Sequence, residues 1–171
     1  ENYLLENPSK GIRIKKPTDT IKKQILWIDE LRLLAKTPCG NEEVKRAFLF
    51  ACYTGLGAAE IKKLRWKHLE NGRLNITRAK NTNPITFKLS KPALELAGER
   101  ELSQHKIFNL TISNSAINKN LKNWIQKAGI DKHITFYCGR HSFAMLNLKN
   151  GVHPKTLASM MGHSDLTMIN K

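Results

Sequence analysis

The chain is organised around residues 135–171, which read TFYCGRHSFAMLNLKNGVHPKTLASMMGHSDLTMINK. Apolar periodicity between the polar pieces CGRHSFA and MGHSD predicts two helices, the first ended by Gly151 and the second begun by Pro154. Arg140 and His163 lie 23 residues apart, each near a predicted helix start. Because helix starts carry unpaired N–H groups, the two side chains could jointly hold an anion such as phosphate. The spacing also fits a surface cation at Arg140 and a C-cap donor at His163, which are commoner roles.

The two polar pieces carry a specific resemblance. R-H-S-F-A at 140–144 followed by M-G-H-S at 161–164 is similar to the second half of the catalytic domain of tyrosine recombinases, the phage integrase family. That family's pattern is H-x-x-R-H-T/S-F-A and then L-G-H-S/T, with a nucleophilic tyrosine nine residues beyond the second histidine. Nine residues beyond His163 is position 172, and the sequence runs to Lys171. The resemblance therefore implies an integrase catalytic domain that ends just before its nucleophile.

A second motif lies upstream, at residues 54–66. TGLGAAEIKKLRW predicts a turn followed by a short helix and resembles the family box T-G-L-R-x-x-E-L/I-x-x-L-x-W. In that box the arginine is one of two that clamp the scissile phosphate, and Gly57 stands at its position, naturally or by engineering. Arg65 falls eight residues later and cannot simply replace it. The basic residues Lys62, Lys63 and Arg65 could line DNA or merely solvate a helix.

Three further site residues follow from the resemblance. Alternating apolar residues on both sides of residues 81–84 predict a β-hairpin, and family members carry at its turn a lysine that protonates the departing oxygen. Alignment puts that role on Lys80, which position alone would make an ordinary exposed lysine. Tyr137 occupies the place of the first family histidine; its hydroxyl can donate to a phosphate oxygen, or its ring can simply pack. His141 could buttress Arg140 or touch substrate.

Composition limits the class of partner. Lys and Arg total 29 against 14 Asp and Glu, for a net charge of +15 and a pI near 9.9. This balance favours a polyanion, with nucleic acid first and an anionic membrane second. No run of 18 apolar residues and no signal-peptide pattern is present. Three widely spaced cysteines suit reduced thiols in the cytoplasm, and the histidines show no metal-binding spacing, so neither a metal nor another cofactor is expected.

The predicted fold class is α+β, mainly α-helical with a small antiparallel sheet, as in a tyrosine-recombinase catalytic domain. Residues 1–24 are expected to form a basic linker from a missing N-terminal core-binding domain, and residues 25–171 the catalytic domain. Further helices are predicted over Ile28–Lys36, from an Asn41 cap to Gly55, from a Ser90 cap to Ala97 and from a Ser113 cap to Gly129.

The function implied by the resemblance is site-specific DNA recombination or integration through a 3′-phosphotyrosyl intermediate. Arg140 would stabilise charge on the phosphate, His163 would donate to it, and Lys80 would act as the acid. The expected partners are double-stranded DNA and other recombinase subunits on that DNA. Gly57 and Tyr137 leave open a degenerate relative that binds DNA without cutting it. A basic helical transcription regulator is a third possibility, which the hairpin and the paired motifs argue against.

Overall fold

The computed structural model describes residues 24–77 and 84–162. The predicted roles of Lys80, His163 and the segment 1–23 therefore lie outside the described residues. Within them the chain forms seven α-helices, one 3₁₀ turn and three strands. In chain order these are α1 (Ile28–Lys36), α2 (Glu42–Thr54), α3 (Ala58–Lys63), the 3₁₀ turn (Trp66–His68), β1 (Leu69–Glu70), β2 (Arg73–Thr77), β3 (Pro84–Lys88), α4 (Lys91–Ala97), α5 (Asn114–Lys127), α6 (Phe136–Lys149) and α7 (Pro154–Met160).

Helix α2 is the centre of the core. The Asn41 side chain accepts a hydrogen bond from the Val44 N–H at 3.1 Å, and two glutamates in the first turn face the positive end of the helix dipole. Gly55 ends the helix in the left-handed conformation, with φ of 69°. The helix is buried on nearly every side, as expected for an element packed against several others. The Asn41 cap and the Gly55 stop were both predicted and are confirmed.

Helix α6 packs very closely against α2. A Cβ placed on Gly139 would lie 3.3 Å from both Phe48 Cε2 and Ala51 Cβ. A glycine at this point lets the two backbones approach, and the approach brings the first half of α6 into the core. The interface positions the residues that follow Gly139 in the chain, beginning with Arg140.

The three strands form one antiparallel sheet in the order β1-β2-β3. Leu74 is opposite Phe87 and Ile76 is opposite Ile85, and all four side chains face the core. The alternate residues of β2 and β3 are exposed, so one face of the sheet is buried and the other is open. The predicted fold class, mainly helical with a small antiparallel sheet, is confirmed. No described helix is long and apolar enough to cross a membrane.

Candidate active site

Arg140 lies in the second turn of α6 and is buried, with 3% of its surface exposed. Its Nη1 donates to the Gly55 carbonyl oxygen, and its Nη2 donates to the Met161 carbonyl oxygen at 2.7 Å. A guanidinium removed from water needs such acceptors, because an uncompensated buried charge is strongly destabilising. Arg140 therefore joins the turn after α2 to the end of α7. The interpretation of Arg140 as a surface cation is wrong.

The helix that carries Arg140 begins earlier than its sequence suggests. Cys138 and Gly139 were expected to precede the helix, but α6 starts at Phe136. The Thr135 N–H donates to the Cys138 sulfur at 3.4 Å, and the Phe136 N–H donates to the Asn118 side-chain oxygen at 2.9 Å. These bonds satisfy two of the amide groups that a helix start leaves open. Arg140 is consequently the fifth residue of α6, and its side chain is directed by the packing of this helix.

A buried serine fixes α6 to the start of the described chain. Ser142 Oγ accepts from the Leu26 N–H at 2.8 Å and donates to the Cys138 carbonyl at 2.9 Å. Both Ser142 and Leu26 are completely buried, so neither bond competes with water. The segment just before α1 thus helps to hold the helix that positions Arg140. No feature of the sequence singled out Ser142, although it is the serine of the R-H-S-F-A motif.

Gly57 lies two residues beyond the carbonyl that Arg140 contacts. Its φ of −86° and ψ of 171° are extended values that any residue can adopt. Its N–H donates to Glu60 Oε2 at 3.0 Å, and a Cβ on Gly57 would lie 2.7 Å from the same oxygen. A side chain at position 57 is therefore compatible with the backbone, but it requires the Glu60 carboxylate to move. The carboxylate is the end of a flexible side chain, so this movement is inexpensive.

Tyr137 and His141 form an aromatic pair on the first two turns of α6. Their ring centroids are 4.6 Å apart with an interplanar angle of 84°, which is an edge-to-face arrangement. Tyr137 is 47% exposed, so its ring is not part of the core. Residues three and four apart share one side of a helix, which brings Tyr137 next to both Arg140 and His141. His141 contacts the Tyr137 ring, so its side chain supports Tyr137.

The basic residues of the second motif have different environments. Lys62 Nζ donates to the Ile112 carbonyl at 2.8 Å and to Asn114 Oδ1 at 3.0 Å, which ties α3 to the start of α5. The Arg65 guanidinium donates to the Gln104 carbonyl. Lys63 is exposed and makes no hydrogen bond to another described residue. Only Lys63 of these three has its charged group uncommitted within the described chain.

Two further titratable groups can be placed. Burial lowers the pKa of His68, and the neighbouring Lys67 and Arg65 lower it further, so its imidazole is neutral at pH 7. Burial raises the pKa of the Cys52 thiol, which is therefore protonated and packs as an apolar group. Among residues 24–77 and 84–162, no cluster of three or more His, Cys, Asp or Glu side chains is placed to hold a metal ion.

The structure brings Arg140, Gly57 and Tyr137 into one region, at the junction of the α2–α3 turn, α6 and the end of α7. Lys62 and Arg65 hold neighbouring loops, and the predicted roles of Lys80 and His163 remain predictions. The carbonyl partners of Arg140 were not foreseen, because backbone acceptors leave no signal in the sequence.

Comparison with known proteins identifies relatives of this chain. A model described as the phage integrase family matches residues 25–171. The protein named putative defective protein IntQ, from Escherichia coli (strain K12), is 26% identical over 214 residues, covering 98% of this chain and 53% of IntQ. The chain thus spans about half the length of the curated relatives that it matches.

Two solved structures share the fold. A crystal structure of XerA recombinase has a TM-score of 0.72 at 18% identity, covering 93% of this chain and 62% of XerA. A lambda integrase dimer bound to a COC′ core site has a TM-score of 0.68 at 20% identity, covering 85% of this chain and 57% of the integrase chain. At these identities the likeness concerns the fold.

Proposed function

The chain belongs to the phage integrase family, and from that membership we propose that it supplies the catalytic scaffold for site-specific DNA recombination through a 3′-phosphotyrosyl intermediate. The observation that carries the proposal is the placement of Arg140. A guanidinium that donates to two backbone carbonyls from neighbouring elements cannot swing freely, so the position and direction of its charge are fixed. A preorganised donor of this kind stabilises the charge that develops on a phosphate in the transition state.

The other roles rest on the motifs. His163 donates to the same phosphate, Lys80 protonates the leaving 5′ oxygen, and Tyr137 offers a hydroxyl where the family has a histidine. The nucleophile is a tyrosine nine residues after His163, at position 172 of the protein to which these residues belong. The phenolate attacks phosphorus, the bond to the 5′ oxygen breaks, and the phosphotyrosyl bond keeps the energy needed to rejoin the strand. The DNA is double-stranded and is shared with other recombinase subunits.

A second candidate function is DNA binding without cleavage. Gly57 replaces an arginine of the family box, and the Glu60 carboxylate is hydrogen-bonded to the Gly57 N–H. Glu60 matches the family box, so the distinguishing feature is the missing guanidinium at position 57, which would have attracted the phosphate. This substitution favours a protein that binds DNA but no longer cleaves it.

Covalent trapping separates the two candidates. The protein that includes position 172 would be incubated with nicked duplexes made from a genomic fragment library, without divalent metal. A recombinase forms a 3′-phosphotyrosyl adduct that survives denaturing electrophoresis and disappears when the tyrosine is changed to phenylalanine. DNA retained on the native protein with no adduct would support the non-catalytic candidate instead.

A further inference from the structure

A basic groove lies between the sheet and α7, apart from the residues around Arg140. It encloses about 570 Å³ and is lined by Arg73 and Lys88 from the sheet and by His153 and Lys155 from the start of α7. Hydroxyl groups, including Thr86 and Ser159, complete its polar lining. No Asp or Glu is among the described residues that line it. The groove therefore presents hydrogen-bond donors and positive charge with no acidic group to balance them.

The register of the sheet places two of these cations side by side. Arg73 is directly opposite Lys88 in the β2–β3 pairing, and both side chains are on the exposed face. Like charges at directly opposite positions destabilise a sheet. Glu70 is opposite Arg73 on the other side, in the β1–β2 pairing, without a direct ion pair, and its charge offsets part of this repulsion. A bound anion would offset the rest.

Other cations of the chain are used internally. Arg46 donates to the Leu96 carbonyl at 3.2 Å and to the Ala97 carbonyl at 3.1 Å, and Lys132 lies 2.6 Å from a Glu30 carboxylate oxygen. Arg73, Lys88 and Lys155 make no hydrogen bond or ion pair with any described residue. Exposed lysines elsewhere, such as Lys36 and Lys127, also make no bond within the described chain, so what distinguishes these three cations is that they line one groove.

The imidazole of His153 adds a further donor to the groove. His153 Nδ1 accepts from the Lys155 backbone N–H at 3.2 Å. With Nδ1 used as an acceptor, the N–H of the ring is at Nε2. The groove thus combines a guanidinium, two ammonium groups, an imidazole N–H and hydroxyls. This set suits an anion with several oxygen atoms, and the phosphodiester is such an anion.

The groove lies along α7, and Arg140, on α6, contacts the end of that helix. The groove is lined by residues of α7 as far as Met160, and the carbonyl of Met161 accepts from Arg140. Its basic residues on this helix, His153 and Lys155, are eight and six residues before Met161, which corresponds to about 12 and 9 Å of helix. Resting on the proposed function, we infer that the basic groove binds the sugar–phosphate backbone of the same DNA, at phosphates beside the one proposed for Arg140.

The test compares two triple variants of the 171-residue chain. The groove variant is Arg73→Gln, Lys88→Gln and Lys155→Gln. The control variant, Lys36→Gln, Lys106→Gln and Lys127→Gln, removes the same charge from exposed side chains outside the groove that make no bond within the described chain. Binding to labelled duplex is measured over a series of salt concentrations. Because each phosphate contact contributes about 0.9 to the slope of log K against log salt, we expect the groove variant to lower the slope by about 2–3.

The control variant should change the slope by less than about 1, and a charge-keeping variant, Arg73→Lys with Lys88→Arg and Lys155→Arg, should retain it. Equal changes in the groove and control variants would overturn the inference, as would no change in either.

An acidic polypeptide is the competing partner, and polyglutamate of twenty residues serves as the probe. If the groove variant loses polyglutamate binding while its DNA binding is unchanged, the groove serves an acidic protein segment and the inference fails. Failure of this inference can be distinguished from failure of the proposed function. If the protein forms no covalent adduct but its DNA binding still depends on the groove residues, the recombination chemistry is rejected and the groove remains a DNA-binding site. If the groove variant forms the adduct and binds DNA with unaltered affinity, only the inference about the groove is rejected.

Discussion

Arg140 shows how a single residue can serve structure and chemistry together. Its guanidinium is buried, and both hydrogen bonds described for it go to backbone carbonyls in other elements. Lysine carries one charged nitrogen and cannot reproduce this forked arrangement. Under the proposed function the same guanidinium would also stabilise a phosphate, so loss of the residue should then affect folding as well as function.

The first prediction concerns stability. Replacing Arg140 by methionine keeps an apolar body of similar length but leaves the Gly55 and Met161 carbonyls without their donor. We expect the free energy of unfolding in urea to fall by about 1–3 kcal/mol for each of the two unsatisfied buried acceptors. Arg32→Met is the control, because Arg32 pairs with Asp29 on the surface and its loss should cost less than about 1 kcal/mol. Equal losses for the two variants would contradict a structural role for Arg140.

The second prediction concerns catalysis and position 57. Gly57 has an extended backbone, so Gly57→Arg meets no left-handed strain, and the nearest obstacle is the movable Glu60 carboxylate. In the protein that includes position 172, the added guanidinium should accelerate formation of the phosphotyrosyl adduct by roughly 10²–10³, the value of one preorganised donor. Single-turnover kinetics on a nicked substrate measure the rate.

Gly57→Gln tests size without charge and should give little acceleration. If the added arginine is captured by Glu60, the double variant with Glu60→Gln should release it and raise the rate further. Equal rates for the parent and for Gly57→Arg, with and without Glu60→Gln, would mean that another residue already supplies the missing donor.

At the scale of elements, the α2–α6 interface decides where Arg140 lies. A Cβ at Gly139 would meet Phe48, Ala51 and Cys52 at 3.3–3.4 Å, tighter than ordinary contact. We expect Gly139→Ala to push the helices apart and to lower the free energy of unfolding by about 1–3 kcal/mol. Gly40→Ala is the control, since the nearest atom to a Cβ there is 4.0 Å away and its φ is not positive. Urea denaturation of both variants measures the difference. An unchanged free energy of unfolding for Gly139→Ala would show that the α2–α6 interface can accommodate the added methyl group.

The elements that sequence predicted well are those with local signals. Asn41 and Ser113 cap their helices through side-chain oxygens, Gly55 turns left-handed after α2, and Leu74, Ile76, Ile85 and Phe87 alternate as a half-buried hairpin must. Each of these signals lies within a few residues of the structure that it specifies. The start of α6 was placed too late because its first amides are satisfied by a cysteine sulfur and by Asn118 from another helix.

The sequence predicted which residues belong to the candidate site, but it did not predict their hydrogen-bond partners. The motif pattern identified Arg140, Gly57 and Tyr137 without any knowledge of geometry. The burial of Arg140 depends on backbone carbonyls at Gly55 and Met161, which no pattern of side chains encodes. The roles of Lys62 and Arg65 in holding loops were missed for the same reason, since their acceptors include the Ile112 and Gln104 carbonyls.

At the scale of the whole molecule, the excess of positive charge is divided between two uses. Some cations, such as Arg46 and Lys132, are bound to carbonyls or carboxylates and stabilise the fold. Others, such as Lys63, Arg73 and Lys88, are exposed and uncommitted within the described chain. The second group creates the outward field that a polyanion would experience, so net charge alone overstates the number of groups available for binding.

The last prediction concerns this field. The 171 residues carry a net charge of +15, and phosphate contacts act on any sequence because they read no base. We expect the chain to bind duplex DNA with Kd in the range of about 10⁻⁴–10⁻⁶ M at physiological salt, with little preference between duplexes of different sequence. Affinity should fall steeply with salt, by about 0.9 in log K per unit of log salt for each phosphate neutralised, and by about 0.7 on single strands. Fluorescence anisotropy with labelled duplexes and labelled single strands at four salt concentrations measures both slopes, and a lower slope on single strands is expected from counterion release. A flat salt dependence, or no binding at low salt, would remove nucleic acid as the partner and leave the exposed cations without a function in DNA recombination.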